Sequence, residues 1–269
     1  PAPEPPMITV TSLLAIVTTI GILLSVSFEA LRFFRQVPVS EFLFGLSWSP
    51  QTAIRADQVG SSGAFGAVPL FVGTLLISGI ALLVAVPIGL MVAIYLSEFA
   101  GPRIREVAKP LLELLSGVPT IVYGYFALLF VTPLLQRFLP ELPGFNLLSA
   151  GIVMGIMIVP TVSSIAEDAM RAVPMTLREG SYAMGATRFQ TAVKVVVPAA
   201  FSGIMAAYIL GISRAVGETM ILAVAAGMQP NLTWNPMEPA ATITAFIVQV
   251  ALGDLPHGSV GYQTIFAAG

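Results

Sequence analysis

The stretch VPLFVGTLLISGIALLVAVPIGLMVAIYLS, residues 68–97, contains no Asp, Glu, Lys or Arg. Because a helix needs about 20 apolar residues to cross the hydrocarbon core of a bilayer, this run is long enough to span one. Four more uncharged runs occupy residues 8–28, 114–136, 142–166 and 195–213. Only 10% of the 269 residues are charged, whereas about 25% is usual in soluble domains. The sequence therefore predicts an all-α polytopic membrane protein.

Composition excludes several other classes of protein. The chain has no cysteine, which excludes a disulfide framework and thiolate chemistry. A net charge of -2 offers no basic surface to nucleic acid, so we expect no nucleic-acid partner. The one histidine, His257, has no second histidine or cysteine with which to share a metal, and we predict no metal site. The pattern Gly-x-x-x-x-Gly-Lys-[Ser/Thr] is absent, so we predict no P-loop for ATP in this chain.

We predict one transmembrane domain over residues 1–269, with about six helices. The predicted spans are residues 8–31, 68–98, 110–136, 145–169 and 195–226, with a sixth beginning near 262. The first run has neither a basic leader nor a small-residue cleavage site, so we interpret it as a retained span rather than a signal peptide. Apolar sequence resumes near Tyr262 and stops at Gly269, so we expect the sixth span to be truncated.

Basic residues predict the orientation of the spans, since cytoplasmic loops carry an excess of Lys and Arg. Loops 99–110 and 171–194 carry seven basic residues. The loops on the other side carry four, namely Arg32, Arg35, Arg55 and Arg137. We therefore predict that the first two loops and the amino terminus are cytoplasmic. Residues 239–253 are uncharged but too few to span, which favours an external or re-entrant element.

Prolines lie in or at the ends of the apolar runs: Pro87, Pro119, Pro133, Pro160 and Pro198. A proline inside a helix removes a backbone hydrogen bond, which a membrane protein tolerates where protein or a water-filled cavity satisfies the freed carbonyl. Two interpretations stay open. The prolines produce ordinary bending of membrane helices, or they belong to a bundle that opens and closes.

A polar unit, LREGSYAMGATRFQTAVKVVVPAA at residues 177–200, separates the fourth and fifth predicted spans. Pro174 is suited to start a helix, and Thr176 with Glu179 predicts a capping box. Gly185 then predicts a break, after which a second helical piece follows. We therefore predict two short helices at an angle on the cytoplasmic face. A solvated loop is the alternative on general grounds.

The spacing within this unit favours a more specific interpretation. Glu179-Gly-Ser is followed three residues later by Gly185 and, after nine more, by Val-x-Val-Pro198. This spacing resembles the EAA loop of ABC-importer permeases, which reads Glu-Ala-Ala, three residues, Gly, nine residues, Ile, one residue, Leu-Pro. The Glu, Gly and Pro match, whereas Gly and Ser replace the alanines and two valines replace Ile and Leu.

The resemblance implies the type I permease fold of ABC importers and a coupling loop, residues 171–194, that docks in a cleft of an ATPase subunit. Such docking is helix-in-groove recognition. The residues that the resemblance assigns to this contact are Glu179, Gly180, Ser181, Tyr182, Met184, Gly185 and Pro198.

Further segments resemble the phosphate-specific importer permease of the PstC type. They include WSP at 48–50, KPLLELLSGVPTIVYGYF at 109–126, GIMIVPTVSSIAEDAMRAVP at 155–174 and GISRAVGETMILAVAAG at 211–227. The sister permease, PstA, usually has Ala-Pro after Gly-Glu-Thr, where this chain has Met220-Ile221. We therefore favour PstC. A PstA-like permease, a permease for molybdate or sulfate, and an ATP-independent secondary transporter stay open.

The resemblance also implies location and partners. It implies a multi-pass, non-catalytic subunit of an ATP-hydrolysing complex in the bacterial inner membrane, surrounded by lipid. The implied partners are a PstA-like sister permease, two PstB-like ATPase subunits and an external PstS-like phosphate-binding protein. ATP and Mg would be bound by the ATPase subunits and no cofactor by this chain. The segments 32–67 and 227–261 would dock the binding protein.

Two ionisable residues, Arg214 and Glu218, lie in the fifth predicted span, four positions apart and therefore on one helical face where they can pair. Three small residues share that face: Gly203, Ala207 and Gly211. We assign Arg214, Glu218 and the adjoining Thr219 to the substrate pathway. Arg214 would present a charged fork to phosphate oxygens, and Glu218 would limit how tightly the anion is held. A structural ion pair between subunits is the alternative.

Other charges lie near predicted helix ends. Glu113 is four residues after Lys109, which predicts an ion pair between them. Glu167 and Asp168 close the fourth predicted span and are interpreted as interfacial charges in contact with Arg171. Two sites near predicted breaks, Ser116-Gly117 and Thr161, are candidates to offer hydroxyls or freed backbone N–H groups to an anion.

Overall fold

The computed structural model describes residues 6–50, 63–253, 255–256 and 258–269, and Arg55 and His257 lie outside the described residues. The helices in chain order are α1 (Pro6–Phe34), α2 (Val39–Phe44), α3 (Val68–Ile94), α4 (Pro102–Gly117), α5 (Thr120–Phe126), α6 (Thr132–Gln136), α7 (Leu147–Arg171), α8 (Met175–Ala183), α9 (Arg188–Thr191), α10 (Val197–Ala199), α11 (Phe201–Val216), α12 (Met220–Ala225), α13 (Ile243–Ala251) and α14 (Val260–Ala268). Three π-helical turns adjoin them: Tyr95–Phe99 after α3, Ala127–Val131 before α6 and Ala192–Val196 before α10. Two short antiparallel strands, β1 (Trp48–Ser49) and β2 (Ala64–Phe65), pair Trp48 with Phe65.

Three of these helices are long and apolar enough to cross a membrane: Thr11–Phe34, Val68–Phe99 and Leu147–Arg171. Two further stretches reach that length only as bent pairs. Helix α4 meets the segment Thr120–Gln136 at 88°, and the segment Arg188–Ala199 meets α11 at 73°. The predicted spans 110–136 and 195–226 are therefore interrupted, and the positions of the membrane boundaries stay a prediction.

The prolines fall into two groups. Pro119 stands in the 88° break as the residue before α5. Pro133 and Pro198 each lie at the start of a helix that follows a π-helical turn. Because proline has no N–H, the regular bonding of the helix is interrupted there, and the wider turn accommodates the missing bond. Pro87 and Pro160, by contrast, lie inside the continuous helices α3 and α7.

Helices α3, α7 and α11 pack closely at the centre of the bundle. A Cβ on Gly155 of α7 would lie 2.7 Å from the carbonyl oxygen of Ala81 in α3. A Cβ on Gly203 of α11 would lie 2.4 Å from the Cβ of Ala169 in α7. These positions have no room for a side chain, as is usual where membrane helices approach closely. The small-residue face of α11 thus packs on α7 of the same chain.

A second cluster is aromatic and joins α1 to residues far along the chain. The ring centroids of Phe33 and Phe42 are 5.7 Å apart, those of Phe42 and Trp48 are 6.0 Å apart, and those of Trp48 and Phe246 are 4.9 Å apart. Each pair is edge-to-face, an arrangement that contributes about 0.5–1.5 kcal/mol beyond the buried area. The cluster holds α13 against the end of α1, so the segments predicted to be external lie together.

Candidate coupling and transport site

The predicted polar unit forms two short helices, α8 and α9, joined by a turn at Gly185. Gly185 has φ +82°, a left-handed conformation that glycine adopts without strain. The predicted capping box at Thr176 is wrong, because Pro174 precedes the first residue of α8 and Thr176 already lies inside the helix. The capping box occurs at α9 instead, where Thr187 N donates to Gln190 Oε1 at 2.9 Å and Gln190 N donates to Thr187 Oγ1 at 3.3 Å.

The residues predicted to contact an ATPase subunit differ in exposure. Tyr182 and Met184 are 39% and 89% exposed and are free to meet a partner. Ser181 is half-buried, and its hydroxyl lies 2.9 Å from that of Thr191, which ties α8 to α9. The other members of the predicted set are exposed: Glu179, Gly180, Gly185 and Pro198.

Arg178 is the residue of this unit that the sequence did not identify. It is the one buried residue of α8, with 9% of its surface exposed. Its guanidinium donates to the Glu98 carboxylate through Nη2 at 2.9 Å and Nε at 3.3 Å. Nη2 also donates to the carbonyl of Met170 at 2.8 Å, and Nη1 to that of Val173. Arg178 therefore connects α8 with the π-helical end of α3 and the carboxyl end of α7.

The Arg178–Glu98 pair is one ion cluster, and a second surrounds Glu167, whose side chain is fully buried in α7. Lys109 Nζ lies 2.8 Å from its carboxylate, with Arg171 at 3.5 Å and Arg105 at 3.7 Å. The predicted contact with Arg171 is confirmed for Glu167, whereas Asp168 pairs with Lys109. The predicted pairing of Lys109 with Glu113 is wrong, because Lys109 pairs with Glu167. Glu113 is exposed and needs no partner, whereas the buried carboxylate of Glu167 would be strongly destabilising without one.

Arg105 joins the two clusters. Its Nε donates to the carbonyl of Leu96 at 3.0 Å and its Nη2 to that of Ser97 at 3.2 Å, next to Glu98. Its Nε also lies near Glu167. A cavity of about 370 Å³ opens between the clusters and α8. Its charged lining residues are Glu98, Arg105, Arg171, Arg178 and Arg188.

The face shared by Arg214 and Glu218 is not formed, which corrects the predicted pairing. Helix α11 ends at Val216, so Glu218 lies in a break before α12 rather than one turn above Arg214. Glu218 Oε1 accepts hydrogen bonds from the backbone N–H groups of Met220 at 3.1 Å and Ile221 at 3.4 Å. The first N–H groups of a helix have no partner within it, and this carboxylate supplies one.

The three predicted pathway residues are close in sequence, but the break places them in different environments. Arg214 is half-exposed in the last turn of α11, Glu218 is buried, and Thr219 is half-buried. The carbonyl of Glu218 accepts a hydrogen bond from Thr244 Oγ1 at 2.6 Å, which ties the break to α13. We refer to residues 217–219 as the α11–α12 break.

Ser116 and Thr161, the candidates for anion contacts, line one cavity of about 210 Å³ between α4 and α7. Lys109 and Glu167 line the same cavity. The hydroxyls are therefore brought together, beside a lysine that is already engaged by two carboxylates, those of Glu167 and Asp168.

Comparison with known proteins bears on the whole chain. The family model described as "Binding-protein-dependent transport system inner membrane component" matches residues 85–253. The chain is 36% identical over 265 residues to the "Probable ABC transporter permease protein YqgH" of Bacillus subtilis, covering 98% of this chain and 83% of that protein. It is 34% identical over 241 residues to the "Phosphate transport system permease protein PstC" of Mesorhizobium japonicum, covering 81% of this chain and 71% of that protein.

Two solved structures share the fold. The MetNI methionine ABC transporter matches with a TM-score of 0.52 at 18% identity, covering 74% of this chain and 84% of that chain. A bacterial ABC transporter that imports alginate matches with a TM-score of 0.55 at 16% identity, covering 75% and 71%. At this identity the likeness concerns architecture, and it confirms the predicted ABC-importer type I permease fold.

Proposed function

The chain belongs to the family of binding-protein-dependent transport system inner membrane components, and from that premise we propose that it is the PstC-type permease subunit of an ATP-driven phosphate importer. Membership and the apolar helices make it a multi-pass membrane permease subunit of an ABC transporter. The observation that carries the finer proposal is the one-third identity to PstC proteins over most of the chain, in a molecule whose coupling unit is exposed.

The coupling unit docks on an ATPase subunit through the exposed side of α8 and the following turn. Tyr182 and Met184 supply apolar contact area there, and Glu179 supplies charge. ATP-driven closure of the ATPase pair moves the coupling helices, and the broken spans then change the side to which the pathway opens. The catalytic step takes place on the partner, so this chain is a non-catalytic subunit without a cofactor of its own.

The remaining partners follow from the same assignment. A PstA-like sister permease completes the pathway, and an external PstS-like protein delivers phosphate to the segments that meet at the aromatic cluster. The amino terminus and the coupling unit are cytoplasmic, in agreement with the excess of Lys and Arg in loops 99–110 and 171–194.

The substrate pathway passes the α11–α12 break. The guanidinium of Arg214 presents planar charged donors that suit phosphate oxygens. The carboxylate of Glu218 is held in the break by backbone N–H groups. A negative charge at Glu218 weakens anion binding enough for release. The carboxylate also accepts a hydrogen bond from a protonated phosphate oxygen, and sulfate has no such proton at neutral pH.

The test is reconstitution of the full chain with its candidate partner subunits and binding protein in proteoliposomes. We expect uptake of labelled phosphate that requires ATP and resists an excess of sulfate or molybdate. Uptake of another oxyanion would keep the coupled importer but change its substrate. Uptake without ATP would contradict the importer itself and favour a secondary transporter.

A further inference from the structure

Helix α8 is attached to the bundle chiefly by a polar side chain. No apolar residue of α8 is buried, and Arg178 is its one buried residue. Soluble and membrane helices normally attach through an apolar stripe. An attachment through one arginine is different in kind, because hydrogen bonds fix direction and distance, whereas apolar contacts allow sliding.

The partners of Arg178 belong to two long helices. Glu98 lies in the π-helical turn Tyr95–Phe99 that ends the span beginning at Val68, and its side chain is 6% exposed. Met170 and Val173 belong to the carboxyl end of α7 and the turn that follows it. Helix α8 is covalently continuous with α7 through residues 172–174. The contact with Glu98 therefore connects α8 to a further element, α3.

The contact between Arg178 and Glu98 is buried and has a fixed geometry. Arg178 and Glu98 are 10% and 6% exposed, so water replaces neither partner readily. A guanidinium bound to a carboxylate by two nitrogens has little rotational freedom. Removal of Glu98 takes from the buried Arg178 the carboxylate to which it is bound, which is strongly unfavourable. Single-turn π-helical segments such as the one that carries Glu98 occur frequently at functional sites.

We propose that the Arg178–Glu98 pair is the joint that transmits movement of the coupling helix α8 to the ends of α3 and α7, which makes Arg178 a positioning residue for transport. This inference rests on the proposed coupling of α8 to an ATPase subunit. The joint makes α8, α3 and α7 move as one body, and Arg105 extends that body to α4 through Leu96, Ser97 and Glu167.

The first experiment uses the reconstituted importer with Arg178→Gln, Glu98→Gln and the exchanged pair Glu98→Arg with Arg178→Glu. The control is Glu29→Gln, which removes the partly exposed Arg32–Glu29 pair on α1. The measured quantity is ATP hydrolysed per phosphate taken up. We expect each single change to raise this ratio about tenfold, within the usual range of coupling between sites. The control leaves it unchanged, and the exchanged pair lowers it again. An unchanged ratio in both single variants would overturn the proposal.

A second measurement leaves the Arg178–Glu98 pair intact. The chain has no cysteine, so spin labels can be placed by single substitutions on exposed residues. One pair, Leu177→Cys with Met91→Cys, joins α8 to α3, and the other, Leu177→Cys with Leu129→Cys, joins α8 to the turn before α6. We expect ATP binding and hydrolysis to change the second distance and not the first.

The two outcomes separate the joint from the importer. If the α8–α3 distance changes as much as the reference distance, the joint is disproved while ATP-driven uptake stands. ATP-independent uptake by the unchanged complex would instead overturn both proposals together.

Discussion

Glu167 and Glu218 are both buried carboxylates, with 0% and 7% of their surface exposed, but they are satisfied in opposite ways. Glu167 lies among three cationic side chains at one end of α7. Glu218 binds two neutral backbone N–H groups in the α11–α12 break. The first carboxylate has its charge cancelled and serves to fix helices. The second has no cation among its hydrogen-bond partners within the described residues and lies in the break that we propose the substrate passes.

Loss of the Glu167 carboxylate should have the largest effect. In Glu167→Ala, three cations lose their shared counter-charge, and we expect the free energy of unfolding to fall by about 3 kcal/mol, near the low end for a broken buried pair because the cations are partly exposed. The measurement is the thermal unfolding midpoint of the full chain in detergent. Asp168→Asn is the matched control, since Asp168 is mostly exposed and its one ion pair among the described residues is with Lys109. Its effect should stay below about 1 kcal/mol. Equal effects would show that Glu167 is not the centre of the cluster.

Arg214 tests the proposed substrate pathway, next to Glu218. Arg214→Gln removes a charged donor, and we expect ATP-driven phosphate uptake to fall about tenfold to a hundredfold, which corresponds to one lost hydrogen bond to a charged group. Arg214→Lys keeps the charge but not the planar fork, so its uptake should lie between that of the unchanged chain and that of Arg214→Gln. Arg137→Gln, an arginine outside the predicted pathway, serves as control. A fall of uptake in the Lys variant as large as that in the Gln variant would contradict a role for charge without the planar fork.

Glu218→Gln separates two roles of this side chain, the capping of α12 and the charge of the carboxylate. The amide oxygen can still accept from the N–H groups of Met220 and Ile221, so the unfolding midpoint should barely change. The preference for phosphate over sulfate should fall about fivefold to tenfold, because the acceptor for a protonated phosphate oxygen is weaker. Competition of sulfate with labelled phosphate in proteoliposomes measures the preference. An unchanged preference would refute the selective role of Glu218.

Much of the fold could be predicted from local sequence because membrane helices depend on the length of uncharged runs. The breaks could not, since proline is equally present at the 88° turn, at Pro119, and inside the continuous α7, at Pro160. Whether a proline breaks a helix depends on the packing of its neighbours, which a local pattern does not record.

The candidate site divides in the same way. The coupling unit could be recognised because Glu179, Gly185 and Pro198 stand at a fixed local spacing. Arg178 could not be distinguished from a surface arginine, since its partner Glu98 is 80 positions away. The predicted pairing of Arg214 with Glu218 assumed a continuous helix, and the helix ends between them.

The smallest expected effect concerns the bond that ties the α11–α12 break to α13. Thr244→Val keeps the shape of the side chain but removes its hydroxyl donor to the carbonyl of Glu218, and we expect stability to fall by about 1 kcal/mol. Thr244→Ser keeps the donor and is the matched control. Sulfate competition should be unchanged in both variants, because the backbone of Glu218 is affected and its carboxylate is not. A change of selectivity in Thr244→Val alone would show that the position of the break, and not only the charge it carries, determines how the passing anion is recognised.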